Sequence, residues 1–300
     1  MKCNLCPRNC NIERSVRSGV CRTDELILSR VARHDWEEPC ISGGKGSGTV
    51  FFAGCNLHCR FCQNYDISIA PHGVAVTPEQ LADVFLYVQD LGVANINLVT
   101  PTHFSDKISV ALRIAKPRLT IPVVYNTGSY EKIEALKALD GLVDVYMPDL
   151  KFCSSEVSKS LAGVDNYFEV ATQAIAEMRR QQPADIFDSD GYMTKGVLIR
   201  HLVLPSYVED SKRILDWIAH FDSNAYVSLM SQYFPARKDA AFPHLNRRLH
   251  RHEYESVKEY FVNIGLHNGY CQDVASATVD YLPDFIDSEV EEILKTVKHK

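Results

Sequence analysis

The 300-residue sequence has no run of about eighteen apolar residues, so it offers no candidate membrane-spanning helix. Its opening segment also lacks the apolar stretch of a secretory signal, holding four cysteines among many charges instead, and a cytoplasmic location is the expectation. Positive charge is in deficit: 32 Lys and Arg face 38 Asp and Glu, a formal net charge of −6. Nucleic acid and anionic membranes reward clustered cations, so neither is the expected partner. The one basic run, RRLHRH at 247–252, reads as a solvated segment opening a helix. No internal repeat or low-complexity tract appears. The glycine-rich SGGKGSG at 42–48 lacks the GxxxxGK[ST] spacing of a phosphate loop, because Lys45 is followed by Gly46, and it reads as a flexible lead-in to a strand.

Cysteine, by contrast, is plentiful. The ten cysteines fall as Cys3, Cys6, Cys10 and Cys21, then Cys40, then Cys55, Cys59 and Cys62, with Cys153 and Cys271 isolated. A reducing compartment disfavours disulfides, and clustering of this kind points to metal. Cys153 and Cys271 read as small buried apolar side chains. Cys40, beside Pro39, reads the same way, although it stands close enough in sequence to replace one of the first four.

Residues 1–48 show few periodic apolar positions and read as a small cysteine-rich leader module. From residue 49 onward, β-branched runs alternate with helical patterns. Strands are expected at TVFFAG (49–54), NINLVT (95–100), IPVVYNT (121–127), VDVYMP (143–148), VLIRHLVLP (197–205) and AYVSLM (225–230). The clearest helix starts at Thr77, with Pro78 in the first turn, Gln80 completing a capping box and Gly92 at its end. Its apolar face is expected to carry Leu81, Val84, Phe85, Val88 and Leu91. Apolar strands alternating with helices imply an α/β fold with a parallel sheet covered by helices, here a partial (β/α)6 TIM-like barrel over 49–282. Residues 283–300 read as an exposed C-terminal helical tail. In such folds function gathers beyond the carboxyl ends of the strands. There stand Cys55, the TPTH segment with Thr100, Thr102 and His103, Asn126, Asp149 with Lys151, and Gln232 with Tyr233. Arg200 and His201 interrupt the apolar run of the fifth strand; since side chains alternate, one should face inward and the other the helices.

The stretch GCNLHCRFCQN, residues 54–64, holds three thiols, and thiolates at this density select zinc, copper(I) or an iron–sulfur cluster. Zinc would require a fourth ligand, for which His58 stands inside the loop, though neighbours in a tight loop rarely converge on one ion. Alternatively, three cysteines hold three irons of a [4Fe–4S] cube and leave the fourth iron open to a non-protein ligand. Cys3, Cys6, Cys10 and Cys21 suit either a closed zinc site or an auxiliary iron–sulfur cluster, since both use the same ligands.

The spacing CxxxCxxC after the first strand of an alternating chain resembles the signature of the radical S-adenosylmethionine (SAM) superfamily. EEPCISGGKGSGTVFFAGCNLHCRFCQN, DVYMPDLKF, LIRHLVLP and SQYFP are similar to successive motifs of the pyruvate formate-lyase activating enzyme group, in the branch with a cysteine-rich CNLCPRNC…GVC leader. That resemblance implies that Cys55, Cys59 and Cys62 hold a [4Fe–4S] cluster whose open iron chelates SAM. It further implies reductive cleavage to a 5′-deoxyadenosyl radical that abstracts hydrogen, from a partner glycyl radical enzyme or from another protein or small molecule. A one-electron donor such as flavodoxin or ferredoxin is implied as well. Phe61 matches a position contacting adenine, though a loop aromatic packed in the core would leave the same trace. Asp149 and Lys151 match a DxK segment, for which a plain mutual ion pair is the rival reading. Thr100 and Thr102 stand where many members carry a GGE segment for the methionine amino group; this chain has neither its glycines nor its glutamate. Asn126, Arg200 and His201 complete the expected cofactor contacts, with turn chemistry a rival for Asn126 and a satisfied core histidine a rival for His201. Two readings from other classes stay open: a zinc-binding structural or interaction protein, and an iron–sulfur electron carrier.

Overall fold

The computed structural model describes residues 2–272, 285 and 290–297. Within these, the strands are β1 Ile27–His34, β2 Ser47–Phe52, β3 Val74–Ala75, β4 Ile96–Val99, β5 Val123–Thr127, β6 Val145–Pro148, β7 Ile186–Phe187, β8 Met193–Leu202, β9 Tyr226–Met230 and β10 Gly269–Cys271. The helices are α1 Tyr65–Ile69, α2 Pro78–Asp90, α3 Ser105–Ala115, α4 Ile133–Lys137, α5 Ser155–Ala162, α6 Tyr167–Gln181, α7 Val208–Phe221, α8 Arg251–Asn263 and α9 Val290–Val297.

One sheet runs in the order β10-β9-β8-β6-β5-β4-β2-β1-β3, with β7 paired to β8. The six anticipated strands, β2, β4, β5, β6, β8 and β9, are consecutive parallel neighbours, and β10 extends them. Every residue of β2, β4, β5 and β6 is buried, as expected for strands covered on both faces. The outer face packs under the helices in one large core, while Ile41, Val124, Val145, Met147 and Leu198 form a separate inner cluster. That inner cluster closes the amino-terminal end of the partial barrel. One step along the same faces, two residues beyond Val124, Met147 and Leu198, stand Asn126, Asp149 and Arg200.

Helix α2 has the expected capping box: Gln80 N–H donates to the Thr77 hydroxyl at 3.2 Å, and Thr77 N–H to Gln80 Oε1 at 2.8 Å. Its apolar face is as anticipated except for Leu91, which caps the helix and is exposed. Helix α8 opens at Arg251, directly within the basic run.

Strand β1 was not anticipated. It pairs antiparallel with β2, from Leu28 opposite Phe52 to His34 opposite Ser47, so the segment read as a leader contributes to the main sheet. Interspersed Arg30 and Arg33 obscured its alternation in the sequence. The expected exposed tail is corrected for its described part: α9 buries Val290, Ile293 and Leu294 and packs on α2 and β1. The remainder of 283–300 apart from residue 285 lies outside the described residues. Cys40 is buried as expected. Cys271 is instead exposed, because it sits on the edge strand β10, and Cys153 is only half-buried.

Candidate active site

The cysteine loop begins at Gly54, whose φ of +83° lies in the left-handed region. A Cβ there would meet the Cys21 carbonyl oxygen at 2.3 Å, so the close approach of the leader requires glycine. The loop is then tied down by its own backbone and its neighbours. Leu57 N–H donates to Cys55 Sγ at 3.3 Å, Cys62 N–H to the Cys59 carbonyl, and Arg60 N–H to the Leu161 carbonyl at the end of α5. Gly128, in the turn after β5, leaves room for Leu57, since a Cβ would come within 2.9 Å of its side chain.

The leader supplies the strongest clamp. Arg8 donates to the carbonyls of Asn56 (2.6 Å) and Leu57 (3.2 Å) in the loop, and to those of Ala162 (2.8 Å) and Gly163 (2.9 Å) at the end of α5. Its guanidinium also stacks over Tyr130. Cys10 and Cys21 each lie within electrostatic reach of Cys6, and Val20 N–H donates to Cys10 Sγ. Cys3 belongs to the same small hairpin, with its N–H bonded to the Ile12 carbonyl.

Cys55, Cys59 and Cys62 line one cavity of about 220 Å³ together with Phe61, Thr100, Thr102, Asn126, Asp149, Lys151 and Arg200. Trp36, Gln63, Asn64, Gln232 and Gln272 share its lining. Burial pushes the Cys62 thiol up to about 12 and Cys59 upward too, against the opposing Lys151 ammonium, so loading metal must displace their protons. Among the described residues no three His, Cys, Asp or Glu side chains converge on a single-ion cage. In an iron–sulfur cube each thiolate takes its own iron, so a spread of three thiols on one loop fits that group. His58 turns the loop through a left-handed φ of 55°, and burial with the Arg22 and Arg8 charges lowers its imidazole to about 4.

The polar wall centres on Arg200. Its Nε donates to Asp149 at 2.8 Å, one terminal nitrogen faces Glu37 (3.2 Å) and Glu38 (3.7 Å), and the other donates to Asn126 Oδ1 at 2.6 Å. Asp149 also pairs with Lys151. Burial alone would raise the Asp149 carboxyl, but Arg200 and Lys151 outweigh it and hold it low. Glu38 is raised to about 7, by burial first and then by Glu37, against the pull of Arg200. With Oδ1 engaged, the Asn126 amide N–H₂ is left for a ligand acceptor. Phe61 is held edge-on against Phe152, ring centres 5.8 Å apart.

His201 does not join this group, and its expected cofactor contact is corrected. It is buried on the opposite face of β8, bonded to the Leu150 carbonyl at 2.7 Å and the Ser211 hydroxyl of α7 at 2.9 Å. Alternation along the strand sends Arg200 inward and His201 under the helices. His103 is similarly turned away, donating to the Ala53 carbonyl. Thr100 holds φ of +60°, rare for a β-branched residue, at the place where the resembled family often carries glycines and this chain has none.

Three acidic residues were missed. Glu37 and Glu38 reach the site from the β1–β2 connection, and their only sequence signal was the EEPC string. Glu131 lies beneath the floor, accepting from the hydroxyls of Thr102 and Thr127, and burial raises it to about 7 although those hydroxyls oppose the rise. Since the unfolded carboxyl titrates near 4.5, the folded chain retains a proton that the unfolded chain releases between pH 4.5 and about 7. Stability therefore falls as pH rises through that window, with a penalty of about 3 kcal/mol fully present above it. Glu131→Gln carries no such term. Denaturant titrations are expected to show the variant gaining about 2 kcal/mol or slightly more on wild type between pH 5 and 8, and a constant difference would refute the assignment.

Residues 49–218 match the Radical SAM superfamily. The uncharacterized protein MJ0674 of Methanocaldococcus jannaschii is 32% identical over 265 residues, 86% of this chain and 73% of that protein. The crystal structure of methylornithine synthase (PylB) superposes with a TM-score of 0.50 at 14% identity, covering 84% of this chain and 81% of its own. Streptococcus suis SuiB superposes with a TM-score of 0.50 at 17% identity, covering 76% of this chain and 50% of its own. The chain thus spans about half of SuiB, and both likenesses concern the fold. Among the described residues no helix is long and apolar enough to cross a membrane. The family match covers more than half of the sequence and includes the three-cysteine loop, whose thiols open into a cavity walled by strand-end polar residues: the chain belongs to the radical SAM superfamily.

Proposed function

We propose that this chain cleaves SAM reductively at a [4Fe–4S] cluster and uses the resulting 5′-deoxyadenosyl radical to abstract hydrogen, with a glycine Cα of a glycyl radical enzyme as the target. The observation that carries the first part is the opening of Cys55, Cys59 and Cys62 into the cavity that also holds Asn126, Asp149, Lys151 and Arg200. The target rests on the motif resemblance to the activating enzymes, and another protein or a small molecule is the competing substrate.

The bound cluster and SAM supply the radical chemistry, and the protein supplies orientation and charge. The three thiolates hold the metal. Lys151, anchored by Asp149, places a fixed cation beside Cys59, where added negative charge is favoured. Arg200 has its donors occupied by Asp149, Glu37, Glu38 and Asn126, so it serves to fix those groups rather than to grip a ligand directly. Phe61 offers an apolar face at the cavity wall. Glu37 and Glu38, whose carboxylates meet Arg200 beside the cavity, supply acceptors for an ammonium group in place of the missing glutamate.

In this reading the four leader cysteines, expected to hold iron–sulfur or zinc, bind a second iron–sulfur cluster, because each thiolate then takes its own iron and no single-ion cage is formed among the described residues, and the leader braces the loop through Arg8. Metal content of Cys6→Ala distinguishes this from a purely structural hairpin: loss of one metal site with 5′-deoxyadenosine formation retained is the expected result.

The whole reading is tested by anaerobic reconstitution with iron and sulfide, then dithionite and SAM, measuring 5′-deoxyadenosine. A fully loaded protein that forms none would exclude it, and a colourless zinc protein would favour the structural alternative. Adding a glycyl radical enzyme and looking for the glycyl radical by electron paramagnetic resonance tests the target.

A further inference from the structure

The lining of the main cavity divides by chemistry. Its charged side chains Arg200, Lys151, Asp149, Glu37 and Glu38 are committed to one another. A second part of the lining carries uncharged primary amides: Gln63 of the cysteine loop, Gln232 after β9 and Gln272 after β10, each half-buried. They stand in a row. Gln63 Nε2 donates to the Gln232 carbonyl at 3.5 Å, Gln272 Nε2 donates to Gln232 Oε1 at 3.4 Å, and Ser231 N–H donates to Gln272 Oε1 at 3.2 Å. The Gln232 N–H₂ meets the Met230 thioether at 3.8 Å. Bonds this long are weak, and a thioether is a weak acceptor, so the row is held in place with hydrogen-bonding capacity to spare. Trp36, 60% exposed, brings a flat indole to the same lining from the β1–β2 connection.

We propose that the amide row of Gln63, Gln232 and Gln272 grips an extended polypeptide substrate by its main chain, so that a glycine is chosen for its bare backbone and not for the residues that flank it. The inference rests on the reading above and adds what holds the substrate. A primary amide offers a donor and an acceptor in one plane, the same pair that each residue of a main chain presents. Amides drawn from three elements match successive residues of an extended chain, which rises about 3.3 Å per residue. A small molecule with a single amide meets one of them, and a small carboxylate finds no cation in the row. Glycine lets the main chain approach closely, and the Trp36 indole gives it a flat surface to pack on.

The test uses the full-length, reconstituted protein with two blocked peptides of unrelated sequence, acetyl-Ala-Gly-Ser-amide and acetyl-Leu-Gly-Gln-amide, each deuterated at the glycine Cα. With SAM and no reductant, calorimetry is expected to show both binding with similar dissociation constants, and an ester analogue lacking the N–H after glycine binding more weakly. The double variant Gln63→Leu, Gln232→Leu is expected to bind both about tenfold more weakly, the loss of one to two net hydrogen bonds, while 5′-deoxyadenosine formation with dithionite and no peptide stays at the wild-type rate. With dithionite and peptide, one hydrogen atom passes from the glycine Cα to the 5′ carbon, so the wild-type product carries one deuterium and the glycine is left as a radical. Peptides that do not bind, binding of one sequence and not the other, an ester that binds as tightly as the amide, or unchanged affinity in the variant would each overturn the proposal. Loss of the peptide-free reaction in the variant would overturn it too, since the row would then act on the cofactor. Wild type that binds both peptides yet forms no 5′-deoxyadenosine fails at the radical reading and leaves the amide row supported.

Discussion

Replacing Cys59 by alanine is expected to remove 5′-deoxyadenosine formation, by about a thousandfold or more, because the three thiolates act as a unit and two cannot hold the cube in the same place. Cys59 is the most deeply placed of the three, buried at 7% exposure beside Lys151. The measurement is product formation together with iron content and the cluster's visible absorption after anaerobic reconstitution. Folding is checked independently by thermal denaturation, where the change should be small, since a buried alanine replaces a small thiol. Retained activity in this variant would show that these cysteines do not ligate the reacting metal.

Arg200→Met is expected to cost about 3–5 kcal/mol at pH 8, because it leaves Asp149, Glu37 and Glu38 facing one another in a largely dry wall with their shared cation gone. That loss corresponds to a fall in Tm on the order of 5 °C or more. The pH dependence follows from the same charges. Without Arg200 the pull that keeps Asp149 low is weakened and Glu38 rises further, so both carboxyls take up protons as pH falls. The deficit should therefore shrink from pH 8 to pH 5. Arg200→Lys keeps the charge but loses the planar fork that reaches Asp149, Glu37 and Asn126 together, and should recover only part of the stability. A variant as stable as wild type at pH 8 would show that the cluster contributes nothing net.

These two variants separate the roles of neighbouring residues. The Cys59 change acts on the chemistry and spares the fold; the Arg200 change acts on the wall that positions Asp149, Asn126 and, through Asp149, Lys151. Arg8 joins the two levels. Its four carbonyl contacts tie the leader, the cysteine loop and the end of α5 into one unit, which explains how a loop without regular secondary structure stays in register with the strand ends.

What was legible in the sequence was whatever local chemistry encodes. The six parallel strands announce themselves as apolar runs between helical patterns, because strands buried on both faces need no alternation. Helix α2 is written in its capping box, and the three-cysteine loop in its spacing. The alternation rule correctly divided Arg200 from His201 but could not say which would face inward; the packing of Ser211 against His201 decides that. Short or irregular strands escaped notice. Strand β1 alternates poorly because its arginines interrupt the apolar positions, β3 and β7 are two residues each, and β10 is three, too short for any period to register.

By itself, then, the sequence determined the α/β order, the strand ends at which function gathers and the identity of the three thiols, since each depends on residues within one short segment. The tertiary structure alone decided that Glu37, Glu38 and Asn126 meet around one guanidinium, that burial under the floor raises the Glu131 carboxyl, and that Arg8 grips the cysteine loop. Each of these joins residues separated by tens of positions or more, and each depends on burial, which sets the cost of a charge and is a property of the packed whole.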